Sequence, residues 1–152
     1  MIATDICRAS GNCKKSLEYA ELLIAHHPDN FQGYGRATQD LLKLKRLDDA
    51  MEKIQTGLER IPDHFNLLTI AIDACRRSRK IKQSLDHANT LISKHPANPI
   101  GYVRASEDLI TMNCLEDAKD QIHKGLEKFP DHSLLCQLRS KVLRSEQNPA
   151  RA

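Results

Sequence analysis

The sequence predicts an all-α fold built from repeated antiparallel helix pairs. Three observations carry this. Prolines recur at the even spacing of Pro28, Pro62, Pro96 and Pro130, a 34-residue period. A longer, 68-residue period lies over the first, since the segments 2–64 and 70–132 share 31 identities in 63 positions. No stretch alternates apolar and polar residues as a half-buried strand would.

The shorter period is carried by more than proline. Each proline is followed two residues later by Asn30, His64, Asn98 or His132. A small residue keeps the same step at Ser16, Ala50, Ser84 and Ala118, and an apolar one at Cys13, Leu47, Ile81 and Leu115. Internal periods of this size mark stacked supersecondary units. The identities at the longer period include Gly33-Tyr34 with Gly101-Tyr102, and Gly57-Leu58-Glu59 with Gly125-Leu126-Glu127. The duplicated unit is therefore a pair of repeats.

Each unit of the shorter period reads as two helices. In the segment 31–64, Tyr34, Ala37, Leu41 and Leu44 recur at spacings of three and four and make one apolar face. Lys45-Arg46 breaks the pattern. Asp48 and Asp49 open a second helix, where carboxylates meet the positive end of the dipole. Ala50, Ile54, Gly57 and Leu58 form its stripe, Pro62 ends it, and Asp63 is placed to cap the next helix. The same reading along the chain places helices near 1–10, 14–27, 32–45, 48–60, 65–78, 82–94, 99–112, 116–128 and 133–145. Residues 146–152 are polar with a proline and are expected to be a disordered tail.

Composition agrees. The 152 residues suit one ordinary domain, at 40% hydrophobic and 28% charged. Aromatic residues are 4% and Trp is absent, so the core has to be built from Leu, Ile and Ala, which suit helices. A net charge of +3 is too small to argue for nucleic acid. Cys7, Cys13, Cys75, Cys114 and Cys136 are odd in number and form no CxxC, which fits reduced thiols and a cytoplasmic location. The start of the chain lacks the pattern of a signal peptide. No run approaches the ~18 apolar residues of a membrane helix.

Candidate chemistry is sparse. Among seven histidines, His26 and His27 are adjacent and point apart on a helix, while His64 and His132 are separated by two repeats. No zinc-type spacing, nucleophile–base arrangement or phosphate loop occurs, so no metal, cofactor or catalytic site is expected. Cys7 and Cys75 read as small core residues, and Cys13 and Cys114 lie near turns, partly exposed. The run Arg76-Arg77-Ser78-Arg79-Lys80-Ile81-Lys82 reads as cations offsetting a helix C-terminus. Arg36 with Asp40, and Arg104 with Asp108, read as helix-supporting pairs four residues apart.

A helix–turn–helix unit of this period, with a small residue early in its second helix and a closing proline, resembles the tetratricopeptide repeat. The resemblance covers nearly the whole chain, with a partial repeat in 1–30, repeats in 31–64, 65–98 and 99–132, and a capping helix in 133–145 within a single 1–145 domain. The first-helix aromatic falls on Tyr34 and Tyr102 but on Leu68 between them. The second small residue falls on Gly57 and Gly125 but on Leu91. Ile54 with Gly57 and Ile122 with Gly125 alternate with Ala20 with Leu23 and Ala88 with Leu91, which keeps core volume constant and makes the longer period a packing period. The glycine that usually ends the first helix appears only as Gly11. Pentatricopeptide repeats are set aside on their longer unit.

The resemblance implies a right-handed superhelical solenoid that acts as a protein-binding scaffold, not an enzyme. A peptide or helix of a protein partner would lie in a concave groove lined by first helices. The family's groove positions fall on Asp5, Arg8, Gln32, Gly35, Gln39 and Lys43, then on Asn66, Thr69, Asp73 and Arg76, then on Ile100, Val103, Glu107 and Thr111. The family's carboxylate clamp of Lys, Asn and Arg is not expected, because matching positions hold Asp5, Gln39, Asp73 and Glu107. Two alternative functions are a repeat arm of a larger bacterial transferase, of glycosyl- or sulfotransferase type, and RNA binding through the basic run. The uncapped first helix, with Ile2 and Ile6, suggests self-association at that end.

Overall fold

The computed structural model of the chain describes residues 12–147. These form eight helices: α1 Cys13–His26, α2 Phe31–Lys43, α3 Leu47–Arg60, α4 Phe65–Arg77, α5 Ile81–Lys94, α6 Ile100–Thr111, α7 Leu115–Lys128 and α8 Ser133–Gln147. No strand occurs among the described residues. The helices match the sequence reading to within about two residues at each end, the ordinary uncertainty of a fraying terminus. The expected helix at 1–10 lies outside the described residues, with Cys7, Gly11, Ile2 and Ile6. So does most of the expected tail, although α8 runs into it as far as Gln147.

Two compact units divide the chain between Lys80 and Ile81. The first holds α1–α4 and the second α5–α8. Three helices of the second begin one full long period after those of the first, at Ile81, Leu115 and Ser133 against Cys13, Leu47 and Phe65. Pro99 delays α6 by one residue. The boundary between the units thus falls at the start of the second helix of a repeat, inside the second copy of the duplicated segment.

Within the first unit each helix packs on the next and α2 also packs beside α4. The core joins Tyr34, Leu41 and Leu42 of α2 to Ala50 and Ile54 of α3 and to Leu67, Ala71 and Ala74 of α4. In the second unit Tyr102 and Val103 of α6 meet Leu135 of α8, while Ala118 and Ile122 of α7 meet Val142. The small residues at Ser16, Ala50, Ser84 and Ala118 are all completely buried. Gly57 and Gly125 are where the tyrosines enter. A Cβ on Gly57 would lie 2.8 Å from Tyr34 Cβ, and one on Gly125 3.0 Å from Tyr102 Cβ. The Ile–Gly pairing therefore leaves room for a ring from the neighbouring helix.

Local signals explain the boundaries. Asn30 Oδ1 accepts from the Gln32 amide at 2.9 Å, and Asn98 Oδ1 from the Ile100 amide at 3.0 Å. Asp48 and Asp49 occupy the first turn of α3, and Glu116 and Asp117 that of α7. The N-cap position of α4 is His64 and not Asp63. The Asp63 backbone is left-handed at φ 59°, and the His64 side chain makes no cap bond. Lys45, Arg79 and Asn113 also have φ near +60°. Each ends a first helix with a paired bond: Lys45 and Arg46 amides donate to Leu42 and Leu41 carbonyls, and Arg79 and Asn113 repeat the pattern. Non-glycine residues thus fill the position the family gives to glycine.

Asp40 and Asp108, read as helix-supporting partners of Arg36 and Arg104, are buried at 0% and 1% exposed. Ser16 Oγ donates to Asp40 Oδ2, and Ser84 Oγ to Asp108 Oδ2, both at 2.5 Å. The carboxyls face a neighbouring helix. Arg104 approaches Glu107 at 3.3 Å.

Candidate functional site

Asn30 starts α2 and the turn before His64 starts α4, so the two first helices of the first unit run side by side. A groove of about 450 Å³ lies along that seam. It is lined by Gln32, Gly35 and Gln39 of α2 and by Asn66, Thr69 and Asp73 of α4, six of the residues the sequence points to. Their spacing of three and four residues brings them onto one face of each helix.

Gly35 shapes the groove. It is buried, and a Cβ there would stand 3.0 Å from Ile70 Cδ1 and 4.0 Å from Leu67 Cδ2. The missing side chain lets Ile70 close against the α2 backbone, and both residues line the groove. Gln32 Oε1 is a buried acceptor with no hydrogen-bond partner among the described residues. Thr69 Oγ1 donates back to the Phe65 carbonyl at 2.9 Å, which leaves its methyl to the groove wall. Gln39 and Asn66 are exposed and Asp73 is half-buried.

Sequence reasoning missed Phe31, Arg36, Phe65 and Ile70, which complete the lining. A signal was available, because the chain has only three phenylalanines and two of them stand here. Phe31 stacks on the His64 ring, with centroids 4.1 Å apart and planes inclined by 27°. That contact holds the mouth of the groove.

Other predicted residues are placed differently. Lys43 and Arg76 belong to α2 and α4 but do not line the groove. In the second unit Ile100 and Glu107 are half-buried and Thr111 is exposed, its hydroxyl donating to the Glu107 carbonyl at 2.8 Å. Val103 is 1% exposed and packs with Tyr102 and Leu135, so it is a core residue and offers nothing to a ligand. Asp5 and Arg8 lie outside the described residues.

A second, larger cavity of about 1110 Å³ lies between α1 and α3, over Leu17, Leu41 and Leu44. Its rim is charged, and Lys53 bridges it to the Glu21 carboxylate at 2.9 Å. Among the described residues no cluster of His, Cys, Asp and Glu could hold a metal ion. Cys75 is buried, while Cys13, Cys114 and Cys136 are partly exposed thiols. Among the described residues no helix is long and apolar enough to cross a membrane.

No protein-family model matches the chain. No curated protein matches it either. Solved structures do. A crystal structure of MamA is 13% identical, with a TM-score of 0.74 over 100% of this chain and 99% of that one. A tetratricopeptide repeat protein from Parabacteroides merdae is 13% identical, with a TM-score of 0.83 over 95% of this chain and 58% of that one. The first tetratricopeptide domain of Spaghetti (RPAP3), bound to the HSP90 peptide SRMEEVD, is 18% identical, with a TM-score of 0.66 over 77% of this chain and 93% of that one.

Proposed function

Proceeding from a tetratricopeptide-repeat fold, we propose that this chain is a non-catalytic, cytoplasmic protein-binding scaffold that holds a partner's peptide in the groove between α2 and α4. The observation that carries this reading is the meeting of six predicted groove residues along one seam of about 450 Å³. A backbone brings its own amides and carbonyls, and side-chain carboxamides such as Gln32, Gln39 and Asn66 can donate to and accept from both. The peptide-bound RPAP3 domain, of the same fold, supports the reading by analogy.

The test is affinity capture with the full chain and with Asn66→Ala/Asp73→Ala. The double variant is expected to lose the captured partners while its melting curve stays close to that of the parent chain. A control belongs on a second helix, away from the seam. Lys124→Ala serves, being exposed, whereas Lys53 is engaged with Glu21. Equal capture by parent and groove variant would overturn the reading.

A further inference from the structure

Helices α2 and α6 are duplicated copies and serve as each other's control, and they differ where the groove lies. Between the segments 27–41 and 95–109, His27, Pro28, Asn30, Gly33, Tyr34, Arg36, Ala37, Asp40 and Leu41 recur unchanged. The changes fall at 29, 31, 32, 35, 38 and 39, and four of those six positions line the first groove. Phe31 is matched by Pro99, Gln32 by Ile100, Gly35 by Val103 and Gln39 by Glu107. Across the seam, where α4 and α8 are not copies of each other, Ser133 and Leu134 stand at the repeat positions of Phe65 and Asn66. The core residues Tyr34, Ala37 and Leu41 were kept, and, Arg36 apart, the α2 residues that line the seam were replaced.

The physical result is different in the two units. Gly35 has no side chain, and Ile70 packs against its backbone beside the groove, whereas at the same register Val103 is 1% exposed in its own core. The mouth of the first groove has Phe31 and Phe65, and the equivalent positions of the second unit have no aromatic ring. Arg36 and Asp73 balance each other in charge, so the first lining is neutral. Its buried Gln32 Oε1 has no donor among the described residues, an arrangement that a ligand N–H would relieve.

We infer that the α2–α4 groove is the single peptide-anchoring site of the pair, and that it takes an extended segment with one uncharged apolar side chain. That side chain seats over Gly35 against Phe31, Phe65 and Ile70, and a backbone N–H of the segment donates to Gln32 Oε1. The inference rests on the peptide-binding reading above and adds the anchor chemistry and the choice of unit. An apolar floor with a few placed polar groups is the usual composition of a specific pocket.

The probe is a fluorescein-labelled positional-scanning library of acetylated, amidated heptapeptides, titrated against the full chain. Selection of Leu, Ile, Val, Met or Phe at one position is expected, with amide NMR shifts at Gly35 and Ile70 and not at Val103 and Leu138. Gly35→Val and Gln32→Ile each install the residue of the second unit, and each should weaken the selected peptide by about tenfold or more, which is about 1.4 kcal/mol. Gln32→Ile guards against a packing artefact at Gly35. If peptides bind but select a charged anchor, shift Val103 and Leu138, or ignore both variants, the anchor pocket is overturned and the peptide-binding reading survives. If no library peptide binds, both fall.

Discussion

Ser16 Oγ donates a 2.5 Å hydrogen bond to Asp40 Oδ2 between α1 and α2, with both residues completely buried. The same bond joins Ser84 to Asp108 in the second unit. At this register α3 and α7 carry Ala50 and Ala118 instead. Serine thus stands where the neighbouring helix brings a carboxyl, and alanine stands at the alternate steps. A buried acceptor robbed of its donor keeps its desolvation cost. Ser16→Ala and Ser84→Ala are each expected to lower stability by about 1–3 kcal/mol, seen as a fall in the urea midpoint. An unchanged midpoint would mean that the hydroxyls contribute nothing.

Gly57 tests close packing against helix propensity. Alanine is favoured over glycine in a helix by about 1 kcal/mol, so propensity alone predicts that Gly57→Ala stabilises. The structure predicts the opposite, because the new Cβ would sit 2.8 Å from Tyr34 Cβ and 2.9 Å from its Cγ. A net loss of about 1–3 kcal/mol is expected from overpacking. A raised melting temperature would refute the Tyr34–Gly57 contact.

Ala118 is completely buried against Ile122 and Val142. Ala118→Leu forces a bulkier side chain into that cluster and should cost about 1–3 kcal/mol. Chemical denaturation reads this directly, and tolerance of leucine would put the repeat register in error.

The left-handed residues offer a gain. Arg79 has φ 57° and ends α4 without the freedom of glycine. The left-handed conformation costs an ordinary residue roughly 1–2 kcal/mol. Arg79→Gly is therefore expected to stabilise the chain by up to about 1 kcal/mol once the entropy of glycine is set against that strain. Differential scanning calorimetry would show the rise in Tm, and a fall would count against the turn geometry.

His87 gives a pH dependence. Burial lowers its pKa below the ordinary 6.5, with Asp86 opposing the shift. The unfolded chain then binds a proton more readily than the folded one. This contribution is fully present above about pH 6.5 and is lost as pH falls from there through the folded pKa. His87→Gln should lose less stability than the parent chain between about pH 7 and about pH 5. Parallel Tm–pH curves would show that His87 is not the group responsible.

The repeat architecture was legible in the sequence because it is made of local and periodic signals. Proline at Pro28, Pro62, Pro96 and Pro130 stops helices by covalent geometry wherever it stands, and spacings of three and four place a stripe on one face whatever it packs against. Groove positions such as Gln32, Gly35, Gln39, Asn66, Thr69 and Asp73 came instead from the resemblance to the tetratricopeptide repeat, which assigns them to the concave face, and these six line one groove of the first unit. Tertiary structure decided what each side chain meets. Asp40 and Asp108 look like surface acids four residues from an arginine, and only the neighbouring helix turns them into buried acceptors of a serine hydroxyl. Gly35 and Val103 occupy the same register, yet one makes room for Ile70 of the neighbouring helix and the other fills a core itself, because close packing depends on the volumes opposite and not on the residue's own periodicity.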